Sequence, residues 1–226
     1  MNRYIVRRTI QRADQAVIDE LGAAGTATVH EAIGRFGFAG PHLRPIQGDA
    51  RIAGSAVTVS SHPGDNIMIH AAVEVCQAGD VLVVTNTAES SHGMFGELLA
   101  TSLMARRVRG LVIDAGVRDT SELRQMGFPV WSRHVSCQGT VKHSPGSVNV
   151  PVVLGSVTVN PGDIICADDD GVVVVERADA AWALEQTTQR LIKEAESRSR
   201  LAAGELGLDF YGLRQKLIEM GVEYID

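Results

Sequence analysis

The sequence predicts an α/β fold: a mixed sheet with strand–helix–strand units in the middle, a β-rich segment after it, and helical N- and C-terminal ends. Three observations predict it. Between residues 80 and 131, continuous apolar runs alternate with stretches of helical spacing, the pattern of parallel strands joined by right-handed crossovers. From 148 to 175, "VNVPVVLGSVTVNPGDIICADDDGVVVV" is strand after strand, broken by turn residues. Both ends carry helical periodicity. The 226 residues, 45% hydrophobic, suit a single α/β domain, 1–226, with a C-terminal helical extension from about residue 177.

In chain order, Ala13, Ala16, Val17 and Leu21 share one face of a helix over 12–24. Thr28 and Glu31 have the spacing of a capping box ahead of a short helix ending near Gly34. "GRFGFAGPHLRP" (34–45) is a Gly- and Pro-dense loop. "IAGSAVTVS" (52–60) alternates like a strand. In "SHPGDNIMIHAAVEVCQAG" (61–79) a loop precedes a helix capped near Asp65 and stopped by Gly79. "DVLVVTN" (80–86), "GLVIDAG" (110–116) and "PVW" (129–131) are buried strands, and "GELLATSLMARRV" (96–108) is a helix between the first two. Turns are expected at Gly155, Asn160-Pro161-Gly162 and Asp170-Gly171. A long helix follows over 177–203 and a shorter one over 209–220.

The formal charge is −6 and the basic residues are scattered, which argues against a nucleic-acid surface. Cys76, Cys137 and Cys166 are odd in number and widely spaced, as expected of free thiols in a reducing compartment. Arg3, Arg7, Arg8 and Arg12 interrupt the opening segment, and no uncharged apolar run approaches the ~20 residues needed to span a bilayer. A soluble, cytoplasmic protein with no membrane partner is the expectation. No phosphate loop, Cys-x-x-Cys, His-Glu-x-x-His or Gly-x-Ser-x-Gly motif is present. "GRFGFAG" lacks the preceding strand of a dinucleotide site. His30 and His70 fall within helices and read as packed or surface residues. "ADDDG" (167–171) lacks the spacing of a calcium loop and reads as a hairpin turn.

Ligands of parallel α/β structures gather at the carboxyl ends of strands. Strand 80–86 leads toward Glu97 and a helix start, and strand 110–116 leads into Arg118, Asp119 and Glu122. Were the two strands neighbours, both would deliver these residues to one rim. The N–H groups of Gly96, Glu97, Leu98 and Leu99 form an anion site there. Arg118 can hydrogen-bond an enolate or carbonyl oxygen. Asp119 can bind a hard divalent cation, with Glu97 reaching it through water. Such a rim suits a 2-oxo acid. The same Arg-Asp-x-x-Glu spacing also fits helix capping by Asp119 or Thr120 plus a local salt bridge.

"Gly96-Glu97-Leu98-Leu99-Ala100" followed, after twenty residues intervening beyond Glu97, by "Arg118-Asp119" resembles the metal-dependent pyruvate aldolases of 4-hydroxy-4-methyl-2-oxoglutarate and 4-carboxy-4-hydroxy-2-oxoadipate, which share the fold of the regulator of ribonuclease E activity A. "HPGDNIMIH" (62–70), "PGDIICADDDGVVVV" (161–175) and "GELGLDFYGLR" (204–214) extend the resemblance along most of the chain, and the last favours the carboxy-hydroxy-oxoadipate branch. The resemblance implies a Mg²⁺ or Mn²⁺ ion held directly by Asp119 and, through water, by Glu97 and a C-terminal glutamate of a neighbouring subunit, Glu194 or else Glu196. The family often has aspartate where Glu97 stands. It further implies Arg118 on the pyruvoyl oxygen, Leu98 and Leu99 N–H groups on the pyruvoyl carboxylate, and Thr140 and Lys142 near the distal carboxylate. The implied protein is a homotrimer or homohexamer with sites between subunits. It cleaves its substrate to pyruvate and a 2-oxo acid in aromatic-compound catabolism, with oxaloacetate decarboxylation as a side activity. The alternative implied by the shared fold is a non-catalytic, protein-binding regulator of ribonuclease E.

Overall fold

The structure is a computed structural model that describes residues 4–225; Arg3, among the opening arginines, lies outside the described residues. Two compact units divide the chain, residues 1–187 and 188–226.

The first unit opens with α1 (Gln15–Ala24), which begins where Asp14 accepts the Ala16 N–H at 2.9 Å. Next comes α2 (Thr26–Ala32). The expected capping box does not form, because Thr28 lies inside this helix. Its start is instead held from far along the chain. Asp168 accepts the Thr26 N–H at 2.8 Å and the Thr26 hydroxyl at 2.5 Å. A local motif yields here to a buried carboxylate that must find partners of its own.

The strands are β1 (Arg44–Pro45), β2 (Ile52–Ser61), β3 (Asp80–Asn86), β4 (Gly93–Phe95), β5 (Gly110–Val117), β6 (Val130–Val135), β7 (Ser147–Val148), β8 (Val152–Leu154), β9 (Val157–Val159), β10 (Ile164–Asp168) and β11 (Gly171–Val175). Interleaved are α3 (Ile67–Val75), α4 (Glu97–Ala105) and α5 (Thr120–Gln125). The main sheet runs β1-β6-β5-β3-β2-β10-β11, with β4 on β5 and β7 on β2. β2, β3, β5 and β6 are mutually parallel, as the alternation over 80–131 predicts for the last three. β10 and β11 form the expected hairpin across Asp169-Asp170, with β10 antiparallel to β2. The short β4 strand, hidden in "SSHGMFG", was not expected.

The segment 37–46 nearly closes this sheet. Val174 N–H donates to Gly37 O at 2.8 Å and Ala39 N–H to Val172 O at 3.0 Å on one edge. On the other, Arg44 pairs with Ser132, and Ile46 N–H donates to Val130 O at 3.0 Å. Only glycine fits at 37, where φ is +79° and a Cβ would sit 2.1 Å from Val174 O.

Closure explains why β2 is buried almost throughout rather than on alternate residues. Ala56, Val81, Val83, Val112, Trp131 and Val172 pack inside the ring with Val152, Leu154 and Val159 of the β8–β9 hairpin. Their strand neighbours Val57, Leu82, Val84, Leu111 and Ile113 pack outward against α3, α4 and α5. A third cluster joins Ile18, Leu21 and Val29 to Ile164, Val173, Ala180 and Ala183.

The boundary between the units falls within α6 (Ala180–Ala202), which a 3₁₀ turn at Arg177–Asp179 precedes. In the second unit follow α7 (Gly207–Phe210) and α8 (Leu213–Glu219). The single helix expected over 209–220 is interrupted at Gly212, whose φ of +67° leaves the helical region. Arg200 ties this unit together, pairing with Glu205 at 2.6 Å and lying over the Phe210 ring at 4.2 Å.

Candidate active site

β3 and β5 are adjacent and parallel, so their carboxyl ends share one rim, as the sequence argument required. There β4 pairs with β5 and delivers Phe95 directly into α4. Phe95 is buried and stacks on Phe128, with 5.8 Å between ring centroids, which fixes the start of the helix. Such a pair adds about 0.5–1.5 kcal/mol beyond the area it buries.

Asp119 follows β5 and occupies the N-cap position of α5, yet its side chain makes no cap there. Its backbone is left-handed, with φ +54° and ψ +38°, which Asp tolerates better than most residues. The carboxylate reaches across to α4, where Oδ2 accepts the Glu97 N–H at 3.1 Å. Arg118 Nε lies 3.6 Å from the same oxygen. The local-capping alternative thus fails for Asp119: it serves the neighbouring helix, not its own.

Two glycines make the close approach possible. A Cβ on Gly96 would lie 2.3 Å from Asp119 Oδ2, and one on Gly93 would lie 3.0 Å from Arg118 Cβ and 2.3 Å from Ser136 O. Gly96 is extended (φ −160°), so its glycine answers to space and not to backbone strain.

Arg118 and Asp119 line a cavity of about 100 Å³ with Gly96, Leu98 and Leu99 of α4. The Leu98 and Leu99 N–H groups find no acceptor among the described residues, so two donors of this helix start remain for an anion. The opposite wall brings Asn66, His70 and Lys142. Larger clefts exist, such as one of about 460 Å³ beside Phe36 and Trp182. The smaller cavity is the better candidate because charged groups and a helix N-terminus converge on it.

Asn66 and His70 were not singled out for the site. They lie four residues apart on α3 and its N-cap, hence on one face, and that spacing in "DNIMIH" was the available signal. Asn66 is 8% exposed; its Nδ2 donates to Met94 O at 3.1 Å, while Oδ1 is buried without a partner. Burial and then the nearby Lys142 charge lower the His70 pKa, favouring neutral imidazole.

Asp65, 1% exposed, joins the two parts of this opposite wall, α3 and the loop carrying Lys142. It accepts the Ile67 N–H at 2.9 Å on α3, and the His143 and Ser144 N–H groups at 2.7 and 2.6 Å beside Lys142. Burial opposes its charge, but these backbone donors outweigh it and hold the carboxyl below its usual range.

The Glu97 side chain is exposed outside the lining, while its N–H meets Asp119. Thr140 is half-buried and absent from the lining. Glu122 is exposed in the first turn of α5. Glu194 lies in the second unit, paired with Arg190 at 2.8 Å, and Glu196 is exposed there. Among the described residues, no group of three or more His, Cys, Asp or Glu could cage a metal ion. Asp119, however, commits only Oδ2 to protein partners. One carboxylate with room for water fits a hard divalent cation of the Mg²⁺ type.

The RraA-like family pattern, described as Aldolase/RraA, matches residues 26–174. The chain belongs to this family. The match covers β2 through β11, and so the Arg118–Asp119 rim. Among Aldolase/RraA relatives, a Halalkalibacterium halodurans protein named "Putative 4-hydroxy-4-methyl-2-oxoglutarate aldolase" is 27% identical over 158 residues, 70% of this chain and 74% of that protein. A Burkholderia multivorans protein of the same name is 36% identical over 134 residues, 59% of this chain and 81% of that one. The crystal structure of Streptomyces coelicolor RraAS2, described as an unusual member of the RNase ES inhibitor RraA family, superposes with a TM-score of 0.75 at 27% identity, covering 84% of this chain and 100% of that one. The mixed α/β class and the RraA fold are thereby shown. Among the described residues no helix is long and apolar enough to cross a membrane.

Proposed function

We propose that this Aldolase/RraA member is a divalent-metal-dependent carbon–carbon lyase. It cleaves 4-carboxy-4-hydroxy-2-oxoadipate, and 4-hydroxy-4-methyl-2-oxoglutarate, to pyruvate plus oxaloacetate or pyruvate. The observation that carries this reading is the convergence of Arg118, Asp119 and the start of α4 on one cavity. Two relatives with aldolase names support it.

In this reading the substrate carboxylate docks on the Leu98 and Leu99 N–H groups. The Arg118 guanidinium faces the 2-oxo group and stabilises negative charge as it develops there. Asp119 would hold Mg²⁺ or Mn²⁺ directly, with Glu97 and a neighbouring subunit's Glu194 or Glu196 reaching it through water. When bound, the ion supplies Lewis-acid withdrawal of charge from the 2-oxo oxygen. Glu97, through water, receives the 4-hydroxyl proton. The C3–C4 bond then breaks, its electron pair becomes the pyruvate enolate, and a proton returns to C3. Thr140 and Lys142 serve the distal carboxylate, although Thr140 stands outside the cavity lining. Oxaloacetate yields the same enolate on losing CO₂, so decarboxylation is an expected side activity. The assembly is a homotrimer or homohexamer acting on a small 2-oxo acid in aromatic-compound catabolism, with no nucleic acid bound.

The test is pyruvate release coupled to lactate dehydrogenase, with Mg²⁺ and with chelator. Arg118→Ala and Asp119→Ala should each lower kcat by about 10²–10³. Release that survives chelation or either substitution removes the reading. The Streptomyces RraAS2 similarity favours one other reading, a protein that binds and restrains a ribonuclease. Inhibition of RNA degradation without pyruvate release would establish it.

A further inference from the structure

We propose that Asp65 is a positioning residue that sets substrate specificity by clamping the loop carrying Lys142 onto α3. The proposal rests on the aldolase reading and extends it to a residue that touches no substrate. The buried carboxylate spends one oxygen on each part of the wall opposite Arg118: Oδ1 accepts Ile67 N–H from α3, and Oδ2 accepts both His143 and Ser144 N–H from the loop. The backbone runs in parallel with it. Val141 N–H donates to Gly64 O at 3.0 Å and Asn66 N–H to Val141 O at 3.2 Å. Lys142 is exposed between these anchored residues and makes no hydrogen bond or ion pair among the described residues, so the clamp, and not a partner of its own, holds it in the cavity lining with Asn66 and His70. Arg118 and Asp119 follow β5 on the other side, where Asp119 bonds the start of α4, and neither is hydrogen-bonded to Asp65. The clamp therefore governs the end of the cavity away from the pyruvoyl group.

Asp65→Asn is nearly isosteric but turns an NH₂ toward N–H donors, so at least one side of the clamp opens. Two substrates separate the ends. 4-Carboxy-4-hydroxy-2-oxoadipate carries distal carboxylates, whereas oxaloacetate decarboxylation uses only the pyruvoyl end. Asp65→Asn should raise KM for the first by about tenfold or more, within the ~10²-fold that misplacing a group by 1 Å can cost. KM and kcat for oxaloacetate should stay within about twofold. Equal changes on both substrates would mark a general structural role and overturn the proposal. Amide hydrogen exchange on the full chain provides a reading independent of turnover. His143 and Ser144 should lose protection in Asp65→Asn while β5 amides keep theirs; unchanged protection refutes the clamp. Should Asp65→Asn fail to fold, Ser144→Pro removes the 2.6 Å donor from the loop side and must show the same substrate split. If the wild-type chain releases no pyruvate, the aldolase reading falls, and exchange alone decides the clamp.

Discussion

Gly96→Ala adds one methyl group and removes no chemistry, which makes it a sharp probe of the proposed site. The new Cβ would lie 2.3 Å from Asp119 Oδ2 and 3.1 Å from Arg118 Cγ. Real Cβ contacts essentially never fall below 3.0 Å. The carboxylate must therefore retreat by about 0.7 Å or swing away, since packed atoms do not interpenetrate. Either movement breaks its hydrogen bond to the Glu97 N–H. The backbone at 96 is extended, so alanine adds no strain there. Asp119 is about a third exposed and can move into solvent, which keeps the stability cost within about 1 kcal/mol. A reacting group misplaced by 1 Å can cost about 10²-fold in rate. The expected signature is kcat for pyruvate release down by one to two orders of magnitude, roughly, with Tm nearly unchanged. Higher Mg²⁺ should restore part of the rate, because the carboxylate is displaced and not deleted. Full activity in a folded Gly96→Ala protein would show that the Asp119 position is irrelevant to turnover, and the site assignment would fail with it.

Three further outcomes are expected. Chelation followed by dialysis should abolish pyruvate release, and Mg²⁺ or Mn²⁺ should restore it; a fully active metal-free protein argues against the Asp119 assignment. Arg12→Ala should destabilise the fold by about 3 kcal/mol, read by thermal denaturation, because it removes the cation that holds the Asp80 carboxylate, 1% exposed, at 2.7 and 2.8 Å and leaves it only the Gln77 N–H at 2.7 Å. Asp65 has a depressed carboxyl pKa, so its stabilising effect is complete above the unfolded value of about 3.9 and is lost as pH falls through the folded value. The Tm gap between wild type and Asp65→Asn should thus be constant from pH 7 to about pH 5 and narrow below about pH 4; a gap unchanged at about pH 3 would show that the Asp65 charge does not stabilise the fold.

The elements that were legible in the sequence are those whose stability is local. "DVLVVTN" and "GLVIDAG" are continuous apolar runs bounded by turn residues, and they became β3 and β5 almost to the residue. Asp65 ahead of "NIMIH" marked a helix start, and it does accept the Ile67 N–H. The misses share another character. Thr28 and Glu31 had capping-box spacing, but α2 begins two residues earlier because Asp168, 142 positions away, supplies the acceptor. β4 is three residues long and exists only because β5 offers it an edge. Asn66 and His70 looked like ordinary helix residues, and only the approach of the 141–144 loop makes them a cavity wall.

From the chain alone came the α/β class, the parallel orientation of β3, β5 and β6, and the placing of Gly96 through Leu99, Arg118 and Asp119 after strand ends, since periodicity and turn chemistry act over a few residues. Tertiary structure alone decided the near-closure of the sheet through 37–46 and the turning of Asp119 from its own helix toward α4. It also decided the bridging of α3 and the 142–144 loop by Asp65. These rest on hydrogen bonds and close contacts between residues tens of positions apart, and no local pattern encodes which distant donor a buried carboxylate will find.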